Sequence, residues 1–553
     1  MPPVRLRTSN LEKLDGGDFD VVIVGGGING AVCASALTTQ GARVALIEAG
    51  DFAGYTSQES SNLVWGGIKY LEGAELSLVR KLCVSRNHLI RSYPSTVREI
   101  RFFANIDRGF RHGRFLLYLG ALLYWCIGNL FTRPPRLLRR KRMAEEEPLL
   151  ALDNSAGGFE YSDAYLLDND ARFVYHFIRD AIDHGGIVAN YLRCEGAQRD
   201  ADGMWVTRAV DELTGEQLSM RSKVFINAAG PFVDALNGKS DRTTQHHHLF
   251  SKGVHLVVDR ITEAKRVLTF FASDGRLFFI IPMGPKSCIG TTDTRVEALP
   301  PVVTAEDRAF ILDNVNQRLQ LERPLTTDDI IAERCGVRPL VVEGRSDRHD
   351  EGDWASLSRK HAVEVSTEQR HISIFGGKLT DCLNVGNQVA RRVAALGVEL
   401  PYAGRRWYGE PPDEIRDEYF HQARLLGLDE MTAEESSEAL STRLWRRYRA
   451  SALQLLEDIR QDARMAEVLI HGTEYIRGEL HHAARREMIT KLEDFLRRRS
   501  KIALIARTED IKAAPGLMEA CRILFGEEEA EAKFAEYFAE RSPPDVPPMP
   551  DGG

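Results

Sequence analysis

From Asp20 to Glu48 the chain reads DVVIVGGGINGAVCASALTTQGARVALIE, and no other stretch limits the fold as much. Residues 21–24 form a short apolar run, as in a buried parallel strand. Gly25-Gly26-Gly27-Ile28-Asn29-Gly30 follows at once, a G-x-G-x-x-G turn. Residues 31–39 are small and apolar, suited to a helix packed close on a sheet. Residues 43–47 read as a second strand that ends in Glu48. Strand, glycine turn, helix, strand and acid in this register are the βαβ dinucleotide-binding pattern. Gly25 permits the tight turn, Gly27 lets backbone approach a pyrophosphate, and Gly30 lets helix and strand pack closely. The helix start, at Ile28 and Asn29, presents N–H groups and a positive dipole to phosphate. Glu48 is placed to accept hydrogen bonds from a ribose.

At 553 residues the chain is long enough for two or three domains. Its net charge of −8 argues against general nucleic-acid binding. The eight cysteines never form C-x-x-C, which points to reduced thiols in a cytosolic setting, without a disulfide framework or zinc site. Residues 1–17 lack the apolar core of a signal peptide. No run reaches the roughly 18–20 apolar residues of a membrane-spanning helix. Residues 115–131, FLLYLGALLYWCIGNLF, come nearest, and six basic residues follow within 133–142. Such a pair suits a membrane interface with anionic lipid; a buried helix beside a solvated basic loop is the alternative.

The order of signals predicts an α/β protein, α+β overall. Residues 1–18 read as a flexible leader. A discontinuous Rossmann-like domain is expected over 19–80, 151–245 and 371–400. An antiparallel-sheet substrate or cap domain is expected over 81–150 and 246–370. Residues 401–412, rich in proline and glycine, read as a linker to a C-terminal α-helical domain over 413–540. A disordered tail is expected over 541–553. His246-His247-His248 reads as a polar loop, and no metal is assigned to it.

Three further segments are suited to close contact with a coenzyme. The first, residues 56–67, runs from Thr56-Ser57 through Ser60-Ser61 to the paired Gly66-Gly67. The second is Asn227-Ala228-Ala229-Gly230-Pro231, and the third is Gly376-Gly377-Lys378-Leu379-Thr380, each after an apparent strand. Each alone is compatible with a structural turn. Together with the first glycine turn they fit an extended FAD better than NAD.

With these motifs on view, residues 18–501 resemble the FAD-dependent glycerol-3-phosphate dehydrogenases and oxidases. The matching segments are residues 24–31, 66–72, 158–163 with 170–172, 227–231, 252–255, 290–293, 336–340 and 375–380. The resemblance implies non-covalent FAD, a small phosphorylated alcohol as substrate, and electrons passed to a quinone or to oxygen. It implies oxidation of sn-glycerol 3-phosphate to dihydroxyacetone phosphate by a cytoplasmic protein peripheral to the inner face of the cytoplasmic membrane. A homodimer is one assembly open to it.

A phosphate dianion calls for fixed cations, and Lys69, Arg338, Arg359 and Lys378 are the candidates. Arg359 is assigned by resemblance alone. Loss of the hydroxyl proton calls for a base, and His255 suits by its ordinary pKa. Arg338 suits stabilisation of a developing alkoxide, because a guanidinium stays protonated. Tyr70 and Thr292 are the hydroxyls expected to position substrate. Four positions depart from the family pattern. Asn62, Trp65 and Lys69 stand where the family has Lys, His and Arg, and Leu383 replaces an Arg. These departures leave open a different hydroxy or polyol phosphate as substrate, and a non-catalytic flavin-binding protein as a further rival.

Overall fold

The computed structural model describes residues 6–272, 275–344, 361–434 and 436–540. Two sheets form its frame. The first is built on β1 (Gly17–Val24), β2 (Val44–Ile47), β7 (Ile187–Ala189), β10 (Gln217–Asn227), β17 (Ala362–Ser366) and β18 (His371–Phe375), in the order β17-β18-β10-β1-β2-β7. β1 lies parallel to both β10 and β2, which buries it on both sides. An antiparallel pair, β8 (Leu192–Arg199) and β9 (Trp205–Asp211), extends β10. Helices α2 (Ile28–Thr39), α6 (Asp170–Asp183) and α9 (Cys382–Ala395) share one apolar core with a face of this sheet. Residues 31, 34 and 36 of α2 are alanines, so helix and sheet approach closely.

The second sheet combines β3 (Leu63–Val64), β4 (Val97–Asp107), β5 (Arg136–Leu138) and β6 (Ser155–Leu166) with the later strands β11 (His246–Asp259), β12 (Arg266–Phe271), β13 (Leu277–Met283), β14 (Lys286–Gly290), β15 (Thr294–Val296) and β16 (Ala332–Glu343). It is antiparallel except where β12 runs parallel to β4. One face packs on α8 (Ala305–Arg318); the other meets α3 (Leu76–Ser92) and α4 (Arg114–Ile127). Helices from Asp413 to Ala539 form the C-terminal part, with two apolar cores of their own.

Four expectations need correction. Residues 6–14 form helix α1 (Leu6–Leu14), not a loose leader. Asn10 donates to the Val188 carbonyl and Arg7 pairs with Asp211, which ties the helix to the first sheet. β6 lies in the second sheet, although 151–245 was assigned to the nucleotide domain. Its partner β4 is distant in sequence, and such pairing leaves no local mark. The linker packs: Trp407 is buried and its carbonyl accepts from Ser35 Oγ. The three histidines extend β11 instead of forming a loop, because β16 pairs with them through Val341, Val342 and Glu343. The expected tail, 541–553, lies outside the described residues.

Candidate functional site

Three of the four glycine turns meet in one cleft. Gly25 closes β1 at φ +112°, and a Cβ there would stand 2.4 Å from the Ala228 carbonyl oxygen. A Cβ on Gly30 would stand 1.8 Å from the Gly25 oxygen, so only glycine lets α2 begin there. Gly27 differs. Its Cβ would meet only Ser57 Oγ, at 3.3 Å, so this part of the turn faces open space. Ser57 Oγ accepts from the Ile28 N–H at 3.0 Å, and Asn29 Nδ2 donates to the Gly376 carbonyl at 2.8 Å. These bonds join the first turn to the loop after β2 and to the turn after β18. Gly25, Gly27, Ile28 and Asn29 line the cleft, with Thr56 and Ser57 on one side. Ala229, Gly230, Gly376 and Gly377 line it too, and Pro339 of β16 closes it from the second sheet.

Glu48 lies at the rim, buried. Its carboxylate accepts from the Gly26 N–H at 2.6 Å and the Gly50 N–H at 2.8 Å, and burial raises its pKa. Each oxygen keeps accepting capacity. This cleft fits FAD: glycines leave room for a diphosphate at a helix start, and a fixed acid stands at the end of β2. Gly27, Ile28, Asn29, Ser57 and Glu48 are the residues that would hold the coenzyme's adenosine and diphosphate portion.

The second sheet presents a polar face beside the cleft. Register pairs His255 with Arg334, Gly253 with Gly336 and Ser251 with Arg338 across β11 and β16. Residues directly opposite project from the same face. Val254, Leu256 and Val258 face the core on α8 instead. The Arg338 guanidinium lies over Gly253, where a Cβ would stand 2.2 Å from Nη2. It donates to the Thr292 carbonyl (3.1 Å), Asp293 (3.1 Å) and Thr291 Oγ1 (3.0 Å). Asp293 also accepts from Ser251. The chain around Arg338 therefore fixes the fork from three sides. His255 is buried, and its Nδ1 has no hydrogen-bond partner. Burial first, then the charges of Arg334 and Arg338, holds its pKa well below 6.5, so the imidazole is neutral near pH 7.

The other expected residues divide. Lys378 donates to the Tyr70 hydroxyl at 2.5 Å and lies 4.1 Å from that ring's centroid. Leu379 and Thr380 open the turn into α9, and Thr380 Oγ1 donates to the Trp65 carbonyl at 3.2 Å. Thr292 Oγ1 already accepts from the Val254 N–H at 3.0 Å. Gly66 and Gly67 have packing reasons of their own: a Cβ on Gly66 would strike the Tyr124 hydroxyl, and Gly67 has φ +79°. Lys69 is exposed and lines an apolar cleft beneath α4, apart from the glycine cleft. Ser61 lines a separate cavity behind the loop. Arg359 lies outside the described residues.

The departures also separate. Leu383 is buried in the core shared with α2, so its change from Arg does not reach the cleft. Asn62 accepts from Arg334, whose guanidinium is wholly buried and also bonds to Asp170 and the Gln58 carbonyl. A cation from β16 therefore reaches position 62, where the family has Lys. Trp65 Nε1 points to the Tyr161 hydroxyl at 3.4 Å.

Sequence reasoning missed His248 and the support of the loop. His248 Nε2 accepts from the Gly376 N–H at 2.9 Å, and burial pushes its pKa down to about 4. Asp163 accepts from Gly66 N–H, Arg86 and Tyr124. Asp51 is bonded by Arg498 and Arg499 from the C-terminal part, each at 2.7 Å. A run of three arginines was the available signal, but its partner lies too far away in sequence to be read.

Comparison with known proteins bears on the fold and on the coenzyme. Residues 20–357 match the FAD dependent oxidoreductase family model. Residues 366–532 match the model for the C-terminal domain of alpha-glycerophosphate oxidase. An aerobic glycerol-3-phosphate dehydrogenase of Staphylococcus haemolyticus is 30% identical over 513 residues, covering 88% of each chain. A probable glycerol-3-phosphate dehydrogenase of Encephalitozoon cuniculi is 28% identical over 92% of this chain and 81% of its own. The solved glycerol-3-phosphate dehydrogenase of Bacillus halodurans, complexed with FAD, superposes with a TM-score of 0.69 at 25% identity, over 97% of both chains.

Proposed function

Because the chain belongs to the FAD-dependent glycerol-3-phosphate dehydrogenase and oxidase family, we propose that it oxidises sn-glycerol 3-phosphate to dihydroxyacetone phosphate. The observation that carries this reading is Arg338, held by three oxygen acceptors on the same sheet face as His255 and next to cleft-lining Pro339. Bound FAD supplies a two-electron acceptor for the hydride on the substrate carbon. Arg338 stabilises the oxygen as negative charge develops on it. The neutral His255, with Nδ1 unpaired, accepts the hydroxyl proton. Lys378, beside Gly377 and bonded to Tyr70, binds the phosphate, and Tyr70 sets the position of its ammonium. Arg359 is a second phosphate ligand by resemblance, and Thr292 orients Arg338 through its carbonyl.

The proposed acceptor is a quinone. The apolar cleft beneath α4 has a volume of about 440 Å³ and is lined by Leu116, Leu123, Phe159 and Phe271. Phe115, Leu116, Leu119 and Leu123 are 44–61% exposed along this helix. No helix of the described residues is long and apolar enough to cross a membrane. An apolar helix face above an apolar cleft suits a protein resting on the bilayer and drawing a lipid-soluble acceptor from it.

The test is anaerobic titration of the FAD-loaded protein with sn-glycerol 3-phosphate. The visible flavin band should bleach stoichiometrically. Arg338→Ala should retain FAD and lose bleaching by at least about 100-fold, the order of a lost oxyanion donor. Bleaching by a different polyol phosphate and not by sn-glycerol 3-phosphate would overturn the substrate assignment.

A further inference from the structure

A cavity of about 390 Å³ lies behind the cofactor loop, between the second sheet and the C-terminal helices. It shares no lining residue with the glycine cleft. Its wall contains Ser61 and Asn62 of the loop, so whatever fills it touches the segment that packs against the coenzyme site.

The charge on this wall is unbalanced. Three carboxylates line it, and each is ion-paired with an arginine outside the cavity, Asp168 and Glu438 sharing Arg446. Glu99 is held by Arg133, Glu438 by Arg446, and Asp168 by Arg446 and Arg447. Arg334 is matched by Asp170. Four cations remain: Arg98, Arg260, Lys265 and Lys501. Arg260 bonds only carbonyl oxygens, those of Thr262, Ala264 and Gly284. Arg98 reaches only the Pro94 carbonyl, at 3.4 Å.

Lys501 is the telling member. It is 8% exposed, yet its ion pair with Glu474 is 3.8 Å long, beyond hydrogen-bond reach. Its charge lowers Glu474 and Asp168 from a distance, yet no hydrogen bond joins its Nζ to either, and an anion in the cavity can accept one. Its Nζ lies toward Gly284, on the turn that Arg260 also grips. Tyr165 lines the same cavity as Arg98 and Arg260, and burial raises its phenol. Lys501 thus forms the floor of a cationic cavity whose mouth carries the exposed Arg98 and Lys265.

We propose that this cavity is a second anion site, for free phosphate or a small phosphate monoester, that joins the C-terminal part to the second sheet. A phosphate dianion offers several acceptor oxygens, enough to meet Lys501, Arg260 and the Tyr165 hydroxyl at once. A monocarboxylate leaves most of the positive charge uncompensated. Occupancy steadies Asn62 and Ser61, and so favours the FAD-loaded protein. The proposal is independent of the reaction assigned above.

The probe is inorganic phosphate, titrated calorimetrically into the FAD-loaded protein at fixed ionic strength with chloride as the balancing anion. sn-Glycerol 3-phosphate in a second arm distinguishes a monoester from free phosphate. Arg338→Ala, which disables the substrate site, should still bind phosphate. Lys501→Met, with native FAD content and melting temperature, should weaken that binding at least 10-fold. Lys265→Gln with Arg98→Gln, both at the exposed mouth, should weaken it at least 3-fold and guard against misfolding of the buried variant. Loss of all phosphate binding in Arg338→Ala would overturn the proposal. So would unchanged affinity in the mouth variant, or in a folded Lys501→Met.

Discussion

The three glycines of the first turn do different work at the scale of single residues. Gly25 and Gly30 are required by neighbouring backbone, which would stand 2.4 Å and 1.8 Å from a Cβ there, whereas Gly27 is bordered only by a serine hydroxyl at 3.3 Å. Gly27→Ala should therefore fold, with a melting temperature near that of the parent. It should bind FAD at least ~10-fold more weakly, a loss of about 1.4 kcal/mol. Fluorescence titration of the apoprotein with FAD checks both halves of that statement. These roles were legible in the sequence because the spacing of the motif encodes contacts within one βαβ unit. Arg334 was not legible. Its meaning depends on Asn62 and Asp170, residues brought to it from other elements by the sheet and loop. Leu383 was misleading for the same reason: a motif position does not say which side of α9 a side chain takes.

Among the elements, α4 and the loop after β2 carry the clearest consequences. The exposed leucines of α4 lie on the face away from buried Ala121 and Tyr124. Replacing Leu116, Leu119 and Leu123 together by Ser should leave FAD content and dye reduction intact. It should abolish sedimentation with anionic liposomes and slow quinone reduction, which vesicle pelleting and a quinone assay measure. The sequence showed the apolar run and the basic residues after it, but not the cleft beneath, which Phe159 and Phe271 complete from two distant strands. Asp51 anchors the loop to Arg498 and Arg499 and is itself 2% exposed. Asp51→Asn takes the carboxylate from buried Arg499 and leaves Arg498 with Asp494, and should cost about 3–5 kcal/mol. Urea unfolding followed by tryptophan emission gives that number. Flavin fluorescence should show release at a lower urea concentration still.

Across the whole molecule, buried neutral histidines govern the response to acid. Burial pushes His248 and His482 down to about 4 and His371 to about 3, and holds His176 and His255 well below 6.5. Unfolded imidazoles titrate near 6.5. The folded pKa is depressed in each case, so the stability these groups contribute is complete above about pH 6.5. It falls as pH drops toward the folded values, because the unfolded chain binds protons that the folded chain excludes. One such histidine costs about 2 kcal/mol at pH 5 relative to pH 7. Denaturation midpoints should decline from pH 7 to pH 5. His371→Phe, placed between Trp205 and Phe225, should flatten that decline. The two-sheet body and the helical C-terminal part were readable from composition and motif order. The division of strands between sheets was not, because β6 finds its partner by long-range pairing that no local pattern announces.

The arginines that pin the loop are joined to Asp51 across 447 positions of sequence. At roughly 5–20 residues per second, the ribosome needs about 20–90 s to supply them after Asp51 has emerged. Throughout that interval the segment beside the diphosphate cleft lacks its anchors Arg498 and Arg499. Stable flavin capture thus waits until residues 498 and 499 have emerged, and ribosome-bound chains stalled before residue 498 should stay colourless.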